Sequence, residues 1–313
     1  MNKPTLVMLV GLPCSGKSTF VQPYTKSPHV EVFSSDTLRE ELFGNVDHQT
    51  DNALLFKELH KRIKDCLKSG KSAIVDATNI NYKRRMAFLA ELKNIPCHKE
   101  CVLMATPYEV CLERNKIRDR KVPEYVIERM YKNFDVPWYY EGWDNITIKY
   151  SEGAEGSYGW SRDWIESMRT FDQENPHHTL SLGDHCIAAH KALNQLGKEA
   201  PDTDTYMASF ELIHATLLHD CGKPFCKTFT NSKGEVTEVA HYYNHERIGS
   251  YDSLFYTTFG DELYRAVLIR WHMQPYYWEK DNNEKLQNKY RKLWGEDLYK
   301  EIMLLHTCDK MAH

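Results

Sequence analysis

No run of apolar residues in this 313-residue sequence is long enough to span a bilayer, which excludes a membrane-crossing helix. Nine cysteines are present, an odd number without a single CxxC pair, so neither a disulfide framework nor a zinc ribbon is indicated. Cys97-His98-Lys99-Glu100-Cys101 lacks a second ligand pair at zinc-finger spacing and is not read as a metal site. Unpaired thiols in that number point to a reducing, cytoplasmic compartment. There is no internal repeat, no low-complexity tract and no strong basic stripe. Residues 1–150 carry 23 Lys and Arg against 19 Asp and Glu, whereas the remainder carries 17 against 25. Such a balance excludes a high-affinity, sequence-blind nucleic-acid binder but allows local contacts to an anionic polymer in the first half. Eleven of the fifteen histidines lie beyond residue 170, and an acidic, histidine-rich half suits metal binding.

What is present is the composition of an ordinary soluble protein, 42% hydrophobic and 27% charged. The length exceeds what one core usually supports, so two domains are expected. Thr5–Val10 reads as a buried strand running into a glycine-rich turn, which explains the apolar N-terminal stretch better than a signal peptide does. Val30–Phe33, Ser72–Val75, Cys101–Met104 and Ile146–Lys149 are further short apolar runs. Between them, residues 51–68 form a helical stretch stopped by Gly70, and Thr106-Pro107-Tyr108-Glu109 reads as a helix start capped by Thr106. Continuous apolar strands alternating with helices predict a parallel α/β domain over residues 1–150. A glycine- and glutamate-bearing stretch from Ser151 opens a linker, taken as 151–170. Residues 171–313 are then mostly α-helical, with helical periodicity over Ile187–Leu196, Tyr206–His219 and Leu263–His272 and a short hairpin within Lys227–Val239.

Gly11-Leu12-Pro13-Cys14-Ser15-Gly16-Lys17-Ser18 fits the P-loop pattern, placed as required between a strand and a helix. Glycines let backbone N–H groups wrap phosphates, and the helix that follows adds its positive end. Gly11, Ser15, Gly16, Lys17, Ser18 and Thr19 would therefore hold ATP or another nucleoside triphosphate, Lys17 reaching the β- and γ-phosphates and Ser18 ligating Mg²⁺. Asp36 follows the second strand, where ligands of open α/β sheets gather. It could take a proton from an attacking hydroxyl, or serve only as N-cap for Thr37–Leu42. Arg39, one turn on, could hold an acceptor phosphate.

The succession GLPCSGKST, SSDTLRE, VDATNINYKRR and CLERNKIRDRKVPEYVIERMY resembles phage-type polynucleotide 5′-kinases over about residues 5–135. The resemblance implies that Asp36 is the general base, that Arg39 binds the acceptor's 3′-phosphate, and that Asp76 supports the acceptor side. It assigns Arg114 and Arg118 to a lid over the donor phosphates, with Arg118 stabilising charge in the transition state. Arg84 and Arg85 read mainly as a solvated helix face, the alternative being contact with nucleic acid.

His219-Asp220 lies in LLHDCGK, and His185, His245, His272 and Asp309 fall in separate helical stretches. Nitrogen and carboxylate ligands brought together in a helical bundle suit one or two divalent transition metals such as Mn, Zn, Fe, Ni or Co. The pattern resembles the HD-domain phosphohydrolase superfamily over Phe171–Asp309. That likeness implies metal ligation by His185, His219, Asp220 and Asp309, with His245 and His272 added in two-metal members and Asp220 bridging. It also implies that Lys223 contacts the scissile phosphate. ENPHHTLSLGDH is similar to the HD module of bacterial tRNA nucleotidyltransferases, which hydrolyses 2′-phosphates and 2′,3′-cyclic phosphates; His177 and His178 would bind phosphate there or cap a helix.

Together the resemblances imply a bifunctional end-healing enzyme acting on RNA or DNA. Its activities would be a 5′-hydroxyl kinase and a metal-dependent 2′,3′-cyclic phosphodiesterase and 3′-phosphatase, with no membrane partner. No segment reads as a ligase, so sealing would fall to a separate RNA ligase. Two other readings are a small-nucleoside kinase joined to a nucleotide phosphohydrolase, and a non-catalytic nucleotide sensor.

Overall fold

The computed structural model describes residues 3–48, 50–176, 178–199 and 208–312; His177 and the start of the expected Tyr206–His219 helix lie outside them. The five apolar runs become one parallel sheet of β1 (Thr5–Val10), β2 (Val30–Ser34), β3 (Ser72–Asp76), β4 (His98–Ala105) and β5 (Asn145–Tyr150), in the order β2-β3-β1-β4-β5. Central β1 is flanked on both sides, and Leu6, Met8, Leu9 and Val10 are buried. That is why its sequence does not alternate. Around the sheet run α1 (Lys17–Val21), α2 (Ser35–Phe43), α3 (Asn52–Lys68), α4 (Tyr82–Glu91), α5 (Tyr108–Ile117) and α6 (Glu124–Tyr131). Ser34 pairs with Asp76 across β2 and β3, and Val10 with Leu103 across β1 and β4. The carboxyl ends of β1, β2 and β3 thereby open on one crevice, where such sheets bind ligands.

Two local expectations change. Thr106 does not cap α5; its hydroxyl donates to the Ser15 carbonyl at 3.2 Å, tying the end of β4 to the glycine-rich turn. Arg85 is not on a solvated face. It is 1% exposed and makes a two-pronged pair with Glu141, Nε to Oε2 and Nη2 to Oε1 both at 2.6 Å, while its Nη1 donates to the Asn79 carbonyl. Arg85→Ala would strand a buried carboxylate, which typically costs about 3–5 kcal/mol. The first transition in urea unfolding of the full chain should move to lower denaturant, whereas exposed Arg84→Ala should leave it within about 0.5 kcal/mol.

Residues 131–136 and 153–313 form a second compact unit, mostly helical. It comprises α7 (Ser161–Ser167), α8 (Leu182–Glu199), α9 (Phe210–Leu218), the single turn α10 (Lys223–Cys226), the hairpin β6 (Thr228–Thr230) and β7 (Val236–His241), then α11 (His245–Asp252), α12 (Glu262–Trp271), α13 (Gln274–Asp281), α14 (Glu284–Trp294) and α15 (Glu296–Met311). The stretch 151–170, expected as linker, instead carries α7, whose Ile165 is buried. Gly183 lets α8 approach so closely that a Cβ there would meet the Ile165 carbonyl oxygen at 2.5 Å. Asp135, 1% exposed, accepts from Arg270 Nε at 2.9 Å and pairs with Arg247 at 3.2 Å, which fixes the 131–136 segment in this unit. Helix α8 packs on α9 and α15, and α12 on α9 and α11. All nine cysteines are free thiols. Among the described residues no helix is long and apolar enough to cross a membrane.

Candidate phosphoryl-transfer site and candidate metal centre

The turn after β1 has its backbone set for an anion. Cys14 and Gly16 both take positive φ, 65° and 93°, which turns successive N–H groups inward at the start of α1. Lys17 is buried and its ammonium donates to the carbonyls of Gly11 at 3.1 Å and Leu12 at 2.6 Å. Burial pushes the Lys17 pKa below its ordinary value, with the Asp76 carboxylate the largest opposing charge. Ser18 Oγ donates to Asp76 Oδ2 at 3.2 Å, placing a hydroxyl and a carboxylate together as Mg²⁺ coordination requires. Burial raises the Asp76 pKa against the pull of Lys17 and the Ser18 bond. Asn79, also at positive φ, donates its amide to the Leu9 carbonyl at 2.8 Å and so clamps β1 to the turn after β3.

A cavity of about 680 Å³ opens over this turn, bordered by residues 14–19, by Arg114 and Arg118, and by Lys149. Arg114 donates to the Cys14 carbonyl and Arg118 lies against Cys14 Sγ, both at 3.4 Å. Asn115, between them in sequence, holds the lid backbone by exchanging bonds with Val122, N–H to Oδ1 at 2.9 Å and Nδ2 to carbonyl at 2.7 Å. The two arginines therefore reach the same cavity as Lys17, although a hundred residues separate them in the chain.

The acceptor side departs from the sequence reading. Ser34, not Asp36, caps α2, accepting from Thr37 N–H at 3.3 Å. Asp36 is left half-exposed and paired with Arg120 at 2.8 Å. Arg39 is buried within α2 and the loop after it: Nη1 donates to the His48 carbonyl at 2.5 Å and to Asn52 Oδ1 at 2.9 Å, and its Nε has no acceptor. Arg39 thus supports the 44–48 loop from below rather than presenting a guanidinium beside Asp36.

In the helical unit the six expected ligand residues converge as two triads, His185–His219–Asp309 and Asp220–His245–His272. His185 and Asp309 lie within α8 and α15, and the others sit at helix boundaries. His219 and His272 close α9 and α12, and His245 opens α11 behind Asn244 at positive φ. Asp220 lies in the turn before α10. Its Oδ2 faces His185 at 3.4 Å and His219 at 3.3 Å, while Oδ1 faces His245 at 3.2 Å and His272 at 3.8 Å. Asp309 Oδ1 is 3.0 Å from His185 Nε2.

The ring tautomers suit metal ligation. Nδ1 of His219, His245 and His272 lies 3.0, 2.8 and 2.6 Å from the carbonyls of Thr216, Tyr242 and Ile269. A carbonyl only accepts, so each Nδ1 carries its proton and each Nε2 turns inward. Burial, then the charges of His245 and His219, push the His272 pKa down to about 3, leaving a neutral ring at neutral pH. Nε2 of His245 and Nε2 of His272 face each other 3.3 Å apart, the atoms that would turn to a shared cation. Burial works against ionising Asp220 and Asp309, yet both carboxyls are held well below the usual range, Asp220 chiefly by Lys223 and His219, Asp309 chiefly by His219 and a hydrogen bond to His185. Burial opposes a charged His219, but the Asp220 and Asp309 carboxylates raise its pKa well above the ordinary value, so a cation taking its place beside them would release that proton.

Lys223 and His178, expected from the sequence, are joined in this pocket by two groups that it did not single out, Gln173 and Tyr276. Lys223 Nζ bridges Asp220 Oδ2 at 2.7 Å and Gln173 Oε1 at 2.8 Å, and lies 3.4 Å from His178 Nε2. Tyr276 donates to Asp309 Oδ2 at 3.1 Å. Gln173 and Tyr276 belong to no spacing motif, and only the fold reveals them. Gly222 has no room for a side chain: a Cβ there would overlap the His245 carbonyl oxygen and lie 2.6 Å from Gly249 N. Gly222→Ala must therefore push α11 away from Asp220. Metal content, measured by elemental analysis of the purified chain, should fall by more than half in that variant.

Residues 6–137 match the family model described as AAA domain, AAA_33. A Methanococcus maripaludis protein named L-seryl-tRNA(Sec) kinase is 33% identical over 47% of this chain and 60% of its own length. A protein of Acanthamoeba polyphaga mimivirus, named as a bifunctional polynucleotide phosphatase/kinase, is 26% identical over 53% of this chain and 38% of its own. The chain thus spans less than two thirds of each of these relatives. A chain of the Pnkp1/Rnl/Hen1 RNA repair complex is 21% identical, with a TM-score of 0.36 over 42% of this chain and 43% of that one. The match falls on the N-terminal unit, whose P-loop sits on a parallel α/β sheet.

Proposed function

We propose that this chain heals broken nucleic-acid ends, phosphorylating 5′-hydroxyls at the P-loop and removing 2′,3′-cyclic or 3′-phosphates at the histidine–aspartate centre. The observation that carries the second half is Asp220, buried with one oxygen toward each triad, on the same chain as the P-loop. In the first reaction the acceptor 5′-oxygen bonds to the γ-phosphorus and the bond to the β–γ bridging oxygen breaks. ADP leaves, and the hydroxyl proton passes to Asp36. Lys17, Arg114 and Arg118 hold the charge on the transferring group. Mg²⁺ held by Ser18, with Asp76 behind it, would neutralise the β- and γ-oxygens.

In the second reaction the oxygen of water bonds to phosphorus, the P–O2′ bond of a cyclic phosphate opens, and the 2′-oxygen takes a proton. A further hydrolysis breaks P–O3′ and frees inorganic phosphate. One or two divalent metals held by the two triads would supply Lewis acidity and a nucleophilic water near neutral pH. Lys223, whose ammonium lies 2.7 Å from Asp220 Oδ2, would hold the phosphate, and Tyr276, which donates to Asp309, would orient that carboxylate. The healed ends would pass to a separate RNA ligase.

A second reading, phosphorylation of a small nucleoside, is favoured by one observation: Arg39 is committed to His48 and Asn52 rather than turned to an acceptor. Labelling of 5′-hydroxyl oligoribonucleotides, oligodeoxyribonucleotides and free nucleosides with γ-labelled ATP separates the two. Transfer to nucleosides alone would sink the end-healing proposal. For the other centre, release of phosphate from an oligonucleotide ending in 2′,3′-cyclic phosphate should depend on added Mn²⁺ or a similar metal and stop with chelator.

A further inference from the structure

We propose that Gln173 is a positioning residue for the hydrolysis, a neutral acceptor that holds the Lys223 ammonium ready for the substrate phosphate without cancelling its charge. The inference rests on the hydrolase reading above and names what sets its phosphate-binding group. Gln173 is 1% exposed and Lys223 4%. Lys223 Nζ donates to Gln173 Oε1 at 2.8 Å and sits over the Tyr242 ring, 5.4 Å from its centre. The amide cannot be turned round. Its Nε2 donates to the Leu180 carbonyl at 3.2 Å, and a carbonyl only accepts, so Oε1 is the atom that faces Lys223.

The third support of the ammonium is charged: Asp220 Oδ2, at 2.7 Å. That same oxygen faces His185 and His219, so a cation held by their triad would compete with Lys223 for it. Gln173 and the Tyr242 ring carry no net charge, and they stay in place when Oδ2 is drawn away. A buried ammonium on such supports keeps its full attraction for an anion. The backbone that presents Gln173 is held against its preference: Glu174, the next residue, takes φ +43°. Four hydrogen bonds pin it there. The Tyr242 hydroxyl donates to the Gln173 carbonyl at 2.6 Å, and Ala240 N–H to the Glu174 carbonyl at 2.8 Å. Asn175 Nδ2 donates to the Ala240 carbonyl at 2.9 Å, and Lys227 Nζ to the Asp172 carbonyl at 2.8 Å. Strain of this kind persists only where its surroundings over-determine it, and it collects at ligand sites.

Gln173→Met keeps the length of the side chain and removes the acceptor. Calorimetric titration of the purified chain, with Mn²⁺ added, against inorganic phosphate should show affinity weakened about 10-fold or more, the span of one hydrogen bond to a charged group. KM for an oligonucleotide ending in 2′,3′-cyclic phosphate should rise by a similar factor with kcat within a few-fold, because Lys223 holds phosphate in ground and transition states alike. Metal content by elemental analysis should stay at the wild-type level. Gln173→Glu keeps an acceptor but sets a charge beside Lys223, so it should weaken phosphate binding at least as much. Tyr242→Phe removes only the pin on the Gln173 carbonyl and should give the same rise in KM, smaller in size. Unchanged phosphate affinity in Gln173→Met, or wild-type affinity in Gln173→Glu, overturns the assignment. So does loss of metal from Gln173→Met in step with its activity, which would make the residue a strut of the fold. A wild type that neither binds phosphate nor opens the cyclic phosphate would instead overturn the hydrolase reading itself.

Discussion

Asp220→Asn should strip metal from the helical unit and lower hydrolysis of a 2′,3′-cyclic phosphate about 10³-fold or more, as expected when a charge is removed from a buried, paired cluster at about 4 kcal/mol. The substitution keeps shape and removes one negative charge. That charge faces both triads: Oδ2 looks to His185 and His219, Oδ1 to His245 and His272, and Lys223 leans on it at 2.7 Å. Loss of a single outlying histidine would weaken one triad, whereas loss of Asp220 weakens both. Elemental analysis should find little metal in Asp220→Asn, and ATP-dependent labelling of 5′-hydroxyl ends should persist. Full metal content in the variant would count against a bridging Asp220.

Lys17→Ala should abolish phosphoryl transfer, a fall of about 10³-fold or more, since positioning and electrostatics supply nearly all catalysis of this reaction. Lys17 is the buried cation of the turn, and its ammonium rests on the Gly11 and Leu12 carbonyls within reach of where phosphates would lie. A misfolding explanation can be separated from a catalytic one. Burial disfavours the charged form of Lys17, so its removal relieves a desolvation cost. Thermal unfolding should accordingly be unchanged or slightly later, and cyclic-phosphate hydrolysis should survive. Retention of kinase activity would show that the cavity over the turn is not the donor site.

Contiguous features were legible before any coordinates. The strand–turn–helix around Gly11–Ser18 needs only neighbours in sequence, as do the apolar strands and the stop at Gly70, whose φ is +86°. Even the ligand types of the second centre could be picked out by residue chemistry, because few buried roles suit four histidines and two aspartates. The stretches ending at His219 and His272 also stop where α9 and α12 do. How the six residues divide into two triads could not be read, because that depends on which helices pack together.

Tertiary structure decided matters of partnership. Whether an arginine is a ligand, an ion-pair partner or a buried strut depends on what lies across from it, and those partners come from far along the chain. Arg85 finds Glu141 56 residues on, Arg120 finds Asp36 84 residues back, and Arg39 turns under a loop that local spacing had set beside the acceptor. Thr106 has every local mark of a helix cap and binds Ser15 instead, 91 residues away. Sequence by itself determined the chemistry each residue could perform and the strand and helix periods that carry it. The fold decided which of those capacities face one another, because a hydrogen bond or an ion pair reaches only about 3 Å and periodicity says nothing about which distant chain comes that close.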